Sequence, residues 1–207
     1  VGAQALKAGK TVVHYSFELS EVLVGKRYDA HLTNIPVNDL IENKDRVYVG
    51  PAIAWEMAFL ENAEKMGFKS DSREVIGYQR EVEETISSYK KMKEAGIKIL
   101  VGGDYGLDIA PHGTYAKDLE HYVNLFGFSN AEALHSATSL GGEAMDNNGS
   151  LGTLEEGKLA DLVIIEGNPL EDITVLQDHK KIKAVMKDGL IYQGLTNKIN
   201  PYLNENL

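Results

Sequence analysis

The stretch Met92–Gly106, MKEAGIKILVGGDYG, decides how this chain is read. Gly96 stops a helix, Ile97–Val101 is aliphatic apart from Lys98, and the run leads straight into Gly102-Gly103-Asp104-Tyr105-Gly106, a turn with three glycines. Helix, short apolar strand and polar turn in that order belong to an α/β fold, because parallel strands need a crossover and that crossover is usually helical. In barrels built this way the chemistry lies at the C-terminal ends of the strands, which is where Asp104 stands.

Outward toward the N-terminus the alternation continues. Val75, Val82, Ile86, Tyr89 and Met92 fall on one face of the preceding helix, with Asp71 or Ser72 available as its cap. Ile53–Met66 suits another helix, ended by Gly67, and Val47–Val49 is a strand closed by Gly50-Pro51. Pro36 starts a brief helix through Ile41, and Tyr28–Thr33 reads as a short strand carrying His31. Thr11–Val13 is a β-branched strand with His14 at its C-terminal end, after a helix that stops at Gly9. Toward the C-terminus, Leu119, Tyr122, Val123 and Phe126 mark one helix, and Ser129 with Glu132 predicts a capping box for the next. After Asn147-Asn148-Gly149 the character changes to strands at Leu162–Ile165 and Ile182–Met186, with Lys187-Asp188-Gly189 as a hairpin turn before Leu190–Tyr192.

Four candidate barrel strands end near His14, His31, Val49 and Asp104, whereas a closed eight-stranded barrel takes about 250 residues, so half a barrel is expected. The chain opens at Val1 in mid-pattern and is read as part of something longer. Its 207 residues contain no cysteine, 43% are hydrophobic and 25% charged, which excludes disordered and disulfide-scaffold classes. A formal net charge of −10 repels phosphate backbones and anionic lipid, so neither nucleic acid nor membrane is an expected partner. No apolar run is long enough to span a bilayer, and no basic segment precedes a hydrophobic one at the start, so a cytoplasmic protein is expected.

His14, His31 and Asp104 are metal-competent side chains at strand C-terminal ends, where strand ends converge on one mouth. Imidazole and carboxylate suit zinc or a similar divalent ion, and a site with an open position lowers the pKa of bound water from 15.7 to about 7. Each residue also has a structural reading: a histidine after a strand can simply hydrogen-bond locally, and an aspartate after two glycines can cap the turn. His112 either binds a substrate carbonyl or carboxylate or is a solvated loop residue. Tyr105 either lines the pocket or packs over the turn. Asp108 fits an Asx turn, His121 a solvated helix face, and His135 and His179 have no companion ligands. A GxSxG nucleophile elbow and the common phosphate-binding loops are absent from the sequence.

The segment Gly149–Gly194, GSLGTLEEGKLADLVIIEGNPLEDI followed by IKAVMKDGLIYQG, resembles the C-terminal signature of the metal-dependent amidohydrolases. Upstream, LVGGDYG resembles that family's last barrel strand, and HGTYAKDLEHYVNLFGFSNAEALHSATSLGGEAM the two helices that follow it in imidazolonepropionase-like and prolidase-like members. ALKAGKTVVHYS resembles the fifth strand with its histidine ligand and YDAHLTNIP the sixth; in another registration His14 is the sixth-strand ligand and His31 incidental. The resemblance implies an α/β fold, a partial TIM-like (β/α) barrel containing the later strands over residues 1–148, then a small β-sandwich segment and tail over residues 149–207. It further implies one or two divalent metals, zinc foremost, held by His14, His31 and Asp104, with Asp104 as general base and a small amide as substrate; His112 and Tyr105 are the candidate substrate contacts from the reading of the residues alone. The resemblance also implies hydrolysis of an amide or related C–N bond by metal-activated water. By the same resemblance the family's HxH pair and bridging lysine are expected before the stretch that begins at Val1. Association with the missing N-terminal half, or with a second copy, is therefore expected, and the alternative is a catalytically inactive structural module of the same fold.

Overall fold

The computed structural model describes residues 12–15, 37–146 and 148–194. Strands β1 (Val12–Tyr15), β2 (Val47–Gly50) and β3 (Lys98–Ile99) form one parallel sheet in the order β1-β2-β3. Val12 pairs with Val47, His14 with Val49, and Val49 in turn with Ile99. Leu100 N donates to Val49 O at 2.8 Å, carrying the ladder one residue further. The strand expected over Ile97–Val101 is thus much shorter. Side chains capture its last carbonyls: the Tyr122 hydroxyl donates to Leu100 O at 2.6 Å, and Ser136 Oγ donates to Ile99 O.

Helices α1 (Val37–Glu42), α2 (Ile53–Asn62) and α3 (Arg73–Glu94) connect the strands, and α4 (Lys117–Phe126), α5 (Asn130–Ala137) and α6 (Ser139–Met145) follow β3. The apolar face read along α3 does face the interior. Val82 joins Ile53, Ile99, Leu119, Tyr122, Phe126, Ala133 and Ile173 in one buried cluster, with Ile86, Tyr89 and Met92 packed against it. Ser72, not Asp71, caps α3 by accepting from Val75 N, and Ser129 with Glu132 forms the expected capping box on α5. Helix α2 stops at Asn62, short of Met66, because Phe68 N turns back to Ala63 O at 2.9 Å through Gly67.

Where two helices were expected after the glycine turn there are three. Helix α6, SLGGEAM, contains two glycines that argue against a helix in isolation. Its buried Gly142 lies against the backbone of Gly152, where a Cβ would stand 2.7 Å from Gly152 N and Cα. Gly→Ala inside a helix ordinarily stabilises by about 0.5–1 kcal/mol. Gly142→Ala is expected to do the reverse, destabilising by about 1–3 kcal/mol as the loop is pushed off the helix, and a urea or thermal melt checks it.

The C-terminal strands β4 (Leu162–Ile165), β5 (Ile182–Lys187) and β6 (Leu190–Gly194) form an antiparallel sheet in the order β4-β5-β6. The β5–β6 turn has φ of 49° at Asp188 and 76° at Gly189, the double positive φ of a tight hairpin. A 3-10 segment, Ile173–Gln177, buries Ile173 in the main cluster, and Gln177 donates to Glu120 on α4 at 2.8 Å, so this unit is fastened to the helices. The second layer of a sandwich is not among the described residues, and Val163, Ile164, Leu190 and Tyr192 are exposed on this sheet. No described helix is long and apolar enough to cross a membrane.

Candidate active site

A parallel sheet gathers its strand C-termini along one rim. His14 is the third residue of β1 and pairs with Val49, whose other neighbour is Ile99, and Asp104 follows five residues after Ile99. The structure therefore brings the backbone position of His14 and the turn carrying Asp104 to the same end of the sheet. The side chain of His14 and all of His31 lie outside the described residues. Asp104 is half-buried and makes no hydrogen bond or ion pair among the described residues, and among them no group of three or more ligating side chains stands ready for a metal ion.

The turn is built from beneath by α4. Asp118 is 1% exposed, and its Oδ2 lies 2.9 Å from where a Cβ on Gly103 would stand; Tyr105 Cε2 is 2.6 Å and Ala54 Cβ 3.1 Å from the same point. Only glycine fits there. Tyr105 meets Tyr115 edge-on, with ring centroids 4.8 Å apart and planes at 88°. The Tyr115 hydroxyl is 2.9 Å from His112 Nδ1, and His112 Nε2 lies against Gly106, where a Cβ would approach it to 2.9 Å. His179 Nε2 is 3.2 Å from Gly113 O, on the same loop. Asp118, Tyr105, Tyr115 and His112 thus form a continuous stack from α4 to the loop that follows Asp104. His112 is exposed and Tyr105 half-buried.

Burial is the main electrostatic influence here. It pushes the Asp118 carboxyl up to about 7, against a smaller opposing pull from the Tyr105 phenol, and raises the phenols of Tyr105 and Tyr122. His121 is not the solvated face residue expected: it is 7% exposed, and burial, then Lys117, holds its imidazole below the ordinary range. Helix α4 packs against both α2 and the Ile173–Gln177 segment, so its buried face is wider than the stripe of Leu119, Tyr122 and Phe126. Asp118 and Tyr115 were not singled out by sequence reasoning. The available signal was the i, i+4 relation of Asp118 to Tyr122, which places both on one side of α4.

A separate cavity of 440 Å³, lined by Asp45, Tyr48, Glu143, Asp146 and Lys158 among others, opens near the N-terminal end of β2. There the Tyr48 hydroxyl donates to Glu143 at 2.8 Å and Lys98 pairs with the same carboxylate at 2.5 Å. This is the end of the sheet away from Asp104, the face that in barrels serves stability more than chemistry.

Comparison with known proteins bears on the family and the fold. The chain is 29% identical over 192 residues to ochratoxinase of Aspergillus niger, an alignment covering 92% of this chain and 35% of that protein. It therefore spans about a third of the length of the curated relatives it matches. The crystal structure of A. niger ochratoxinase superposes with a TM-score of 0.65 at 25% identity, covering 94% of this chain and 39% of that one. A Xaa-Pro dipeptidase with methionine bound in its active site gives a TM-score of 0.61 at 33% identity, covering 76% and 36%. The sequence profile of the amidohydrolase family matches residues 6–191, which is most of the chain, and the chain belongs to that family.

Proposed function

We propose that this chain is the C-terminal portion of a metal-dependent amidohydrolase that hydrolyses an amide C–N bond with activated water. The observation that carries the reading is the place of Asp104: a half-buried carboxylate without a partner among the described residues, at the C-terminal end of β3, on the rim it shares with the His14 position. Such a carboxylate fits a divalent ion, zinc foremost, with His14 as a second donor and His31 as a third in only one of the two registrations. The direct pairing of β1 with β2 favours the registration in which His14 is the sixth-strand ligand and His31 is incidental. When bound, the ion supplies Lewis acidity and a water that loses its proton near neutral pH.

Asp104 would take up a proton from the attacking water and return it to the leaving nitrogen, so that one carboxylate would serve as base and then as acid. His112 and Tyr105, held by the Tyr115 ring and hydroxyl, position the acyl or carboxylate end of the substrate. The Xaa-Pro dipeptidase among the relatives favours a dipeptide-like amide. The exposed apolar residues Val163, Ile164, Leu190 and Tyr192 favour coverage by an N-terminal half or a second copy. An inactive module of the same fold is the alternative reading.

Elemental analysis after reconstitution with zinc separates the two. The enzyme reading expects near-stoichiometric metal and release of free amine from a panel of dipeptides and N-acyl amino acids. A chain that takes up no metal and hydrolyses none of them is the inactive module.

A further inference from the structure

Asp118 has no part in the reading above, yet it is one of three buried polar residues among those described as belonging to the interior, with His121 and Ser136. Two of these three, together with Tyr122, address the end of β3. Ser136 holds Ile99 O, Tyr122 holds Leu100 O, and Asp118 lies under Gly103. Asp118 Oδ1 and the Tyr105 hydroxyl are both buried with no described partner outside this pair, and the phenol and the carboxyl are close enough for each to shift the other's proton affinity. A charged residue type at 1% exposure, with an oxygen left unmatched, needs a reason to stand there.

We infer that Asp118 is a positioning residue for Asp104: its carboxyl, wedged between Gly103 and Tyr105, fixes the turn that aims the Asp104 carboxylate over the rim. The inference rests on the assignment of Asp104 given above. Gly103 and Tyr105 flank Asp104 on both sides in the chain, so a group that touches both clamps the residue between them without touching it. The same clamp sets the Tyr105 ring against Tyr115, and through Tyr115 it sets His112. One buried carboxyl thereby couples the general base to the loop that meets substrate. Supports of this outer kind, when removed, typically cost 10–100-fold in metal affinity or activity.

The test compares Asp118→Ala, Asp118→Asn and Tyr105→Phe with the wild-type chain by hydrogen exchange across residues 100–107, with and without zinc, and by dipeptide hydrolysis. Asp118→Ala should speed exchange in the turn by about tenfold or more while leaving β2 and α4 as in wild type. It should also lower kcat about tenfold or more with KM within about twofold. Asp118→Asn, which keeps the shape and an acceptor oxygen, should stay within about threefold of wild type in both readouts. Tyr105→Phe should reproduce the alanine effect on exchange and on kcat, and the double variant should add nothing to it. Wild-type exchange and kcat in Asp118→Ala overturn the inference, as does an asparagine variant no better than alanine. A Tyr105→Phe variant that moves KM alone also overturns it. If Asp118→Ala does not fold, Tyr105→Phe decides by the same criteria. A wild-type chain that hydrolyses nothing defeats the functional reading, and the exchange measurements still decide the role of Asp118.

Discussion

Asp104→Ala is expected to lower metal-dependent hydrolysis by about a thousandfold, within the 10²–10⁴ range that a general acid–base group contributes, and to remove bound zinc, with the melting temperature of the metal-free protein unchanged. The separation of function from stability follows from where the residue sits. Asp104 is half-buried, belongs to none of the buried clusters, and makes no hydrogen bond or ion pair among the described residues, so its side chain has nothing to leave unsatisfied when removed. A substitution of that kind changes stability by about 0.5 kcal/mol or less. Asp104→Asn sharpens the result, since the amide keeps the shape but cannot accept a proton, and it should be nearly as inactive as alanine. Asp108→Ala, an exposed carboxylate four residues further on, is the control and should be unaffected. Elemental analysis, steady-state rates and a melt of each variant check the set. An Asp104→Ala chain that retains its metal and its rate would falsify the assignment.

Much of this architecture was legible wherever a local rule suffices. The capping box at Ser129 and Glu132, the apolar face of α3 and the hairpin at Asp188-Gly189 each depend on residues within one turn or one helix face, and each stands in the structure as read. What the sequence concealed depends on long-range packing. Helix α6 exists despite Gly141 and Gly142 because the missing Cβ of Gly142 admits the Gly152 backbone, a contact that no local propensity encodes. Strand β3 is cut to two ladder residues where Ser136 and Tyr122, from helices further along the chain, take the carbonyls of Ile99 and Leu100. The site shows the same division. Asp104 announced itself by its glycines and its place after an apolar run. Asp118, in the run Lys117-Asp118-Leu119-Glu120, has the appearance of one more charge on a solvated face. Only the packing of α4 under Gly103 distinguishes it from Glu120, which is partly exposed and accepts from Gln177.

The buried Asp118 carboxyl should make the metal-free protein lose stability as pH rises toward neutrality, and Asp118→Asn should abolish that loss. Burial raises the carboxyl from its ordinary 3.8 to about 7 in the folded chain. Between those values the folded state holds a proton that the unfolded state has released, so the native form is favoured less with each step up in pH. The loss begins near pH 4 and is complete once pH exceeds the folded value. A shift of this size corresponds to about 4 kcal/mol, a large part of a typical domain's stability. Tyr105 and Tyr122 face the same carboxyl, but burial keeps both phenols protonated throughout this window. His121, one turn along α4, works in the opposite sense: its imidazole is held low, so its contribution is recovered as pH rises through the ordinary histidine range. The difference between wild type and Asp118→Asn cancels that term. Asparagine is fixed in the neutral form and still leaves a buried amide to satisfy, at a pH-independent cost of about 1–3 kcal/mol. The readout is therefore the slope and not the offset: with chelator present, urea melts from pH 5 to 8.5 should diverge by about 3 kcal/mol, the variant gaining on wild type at the alkaline end. Parallel curves would mean that Asp118 ionises freely in the folded chain, and the burial that places it beneath Gly103 would have to be wrong.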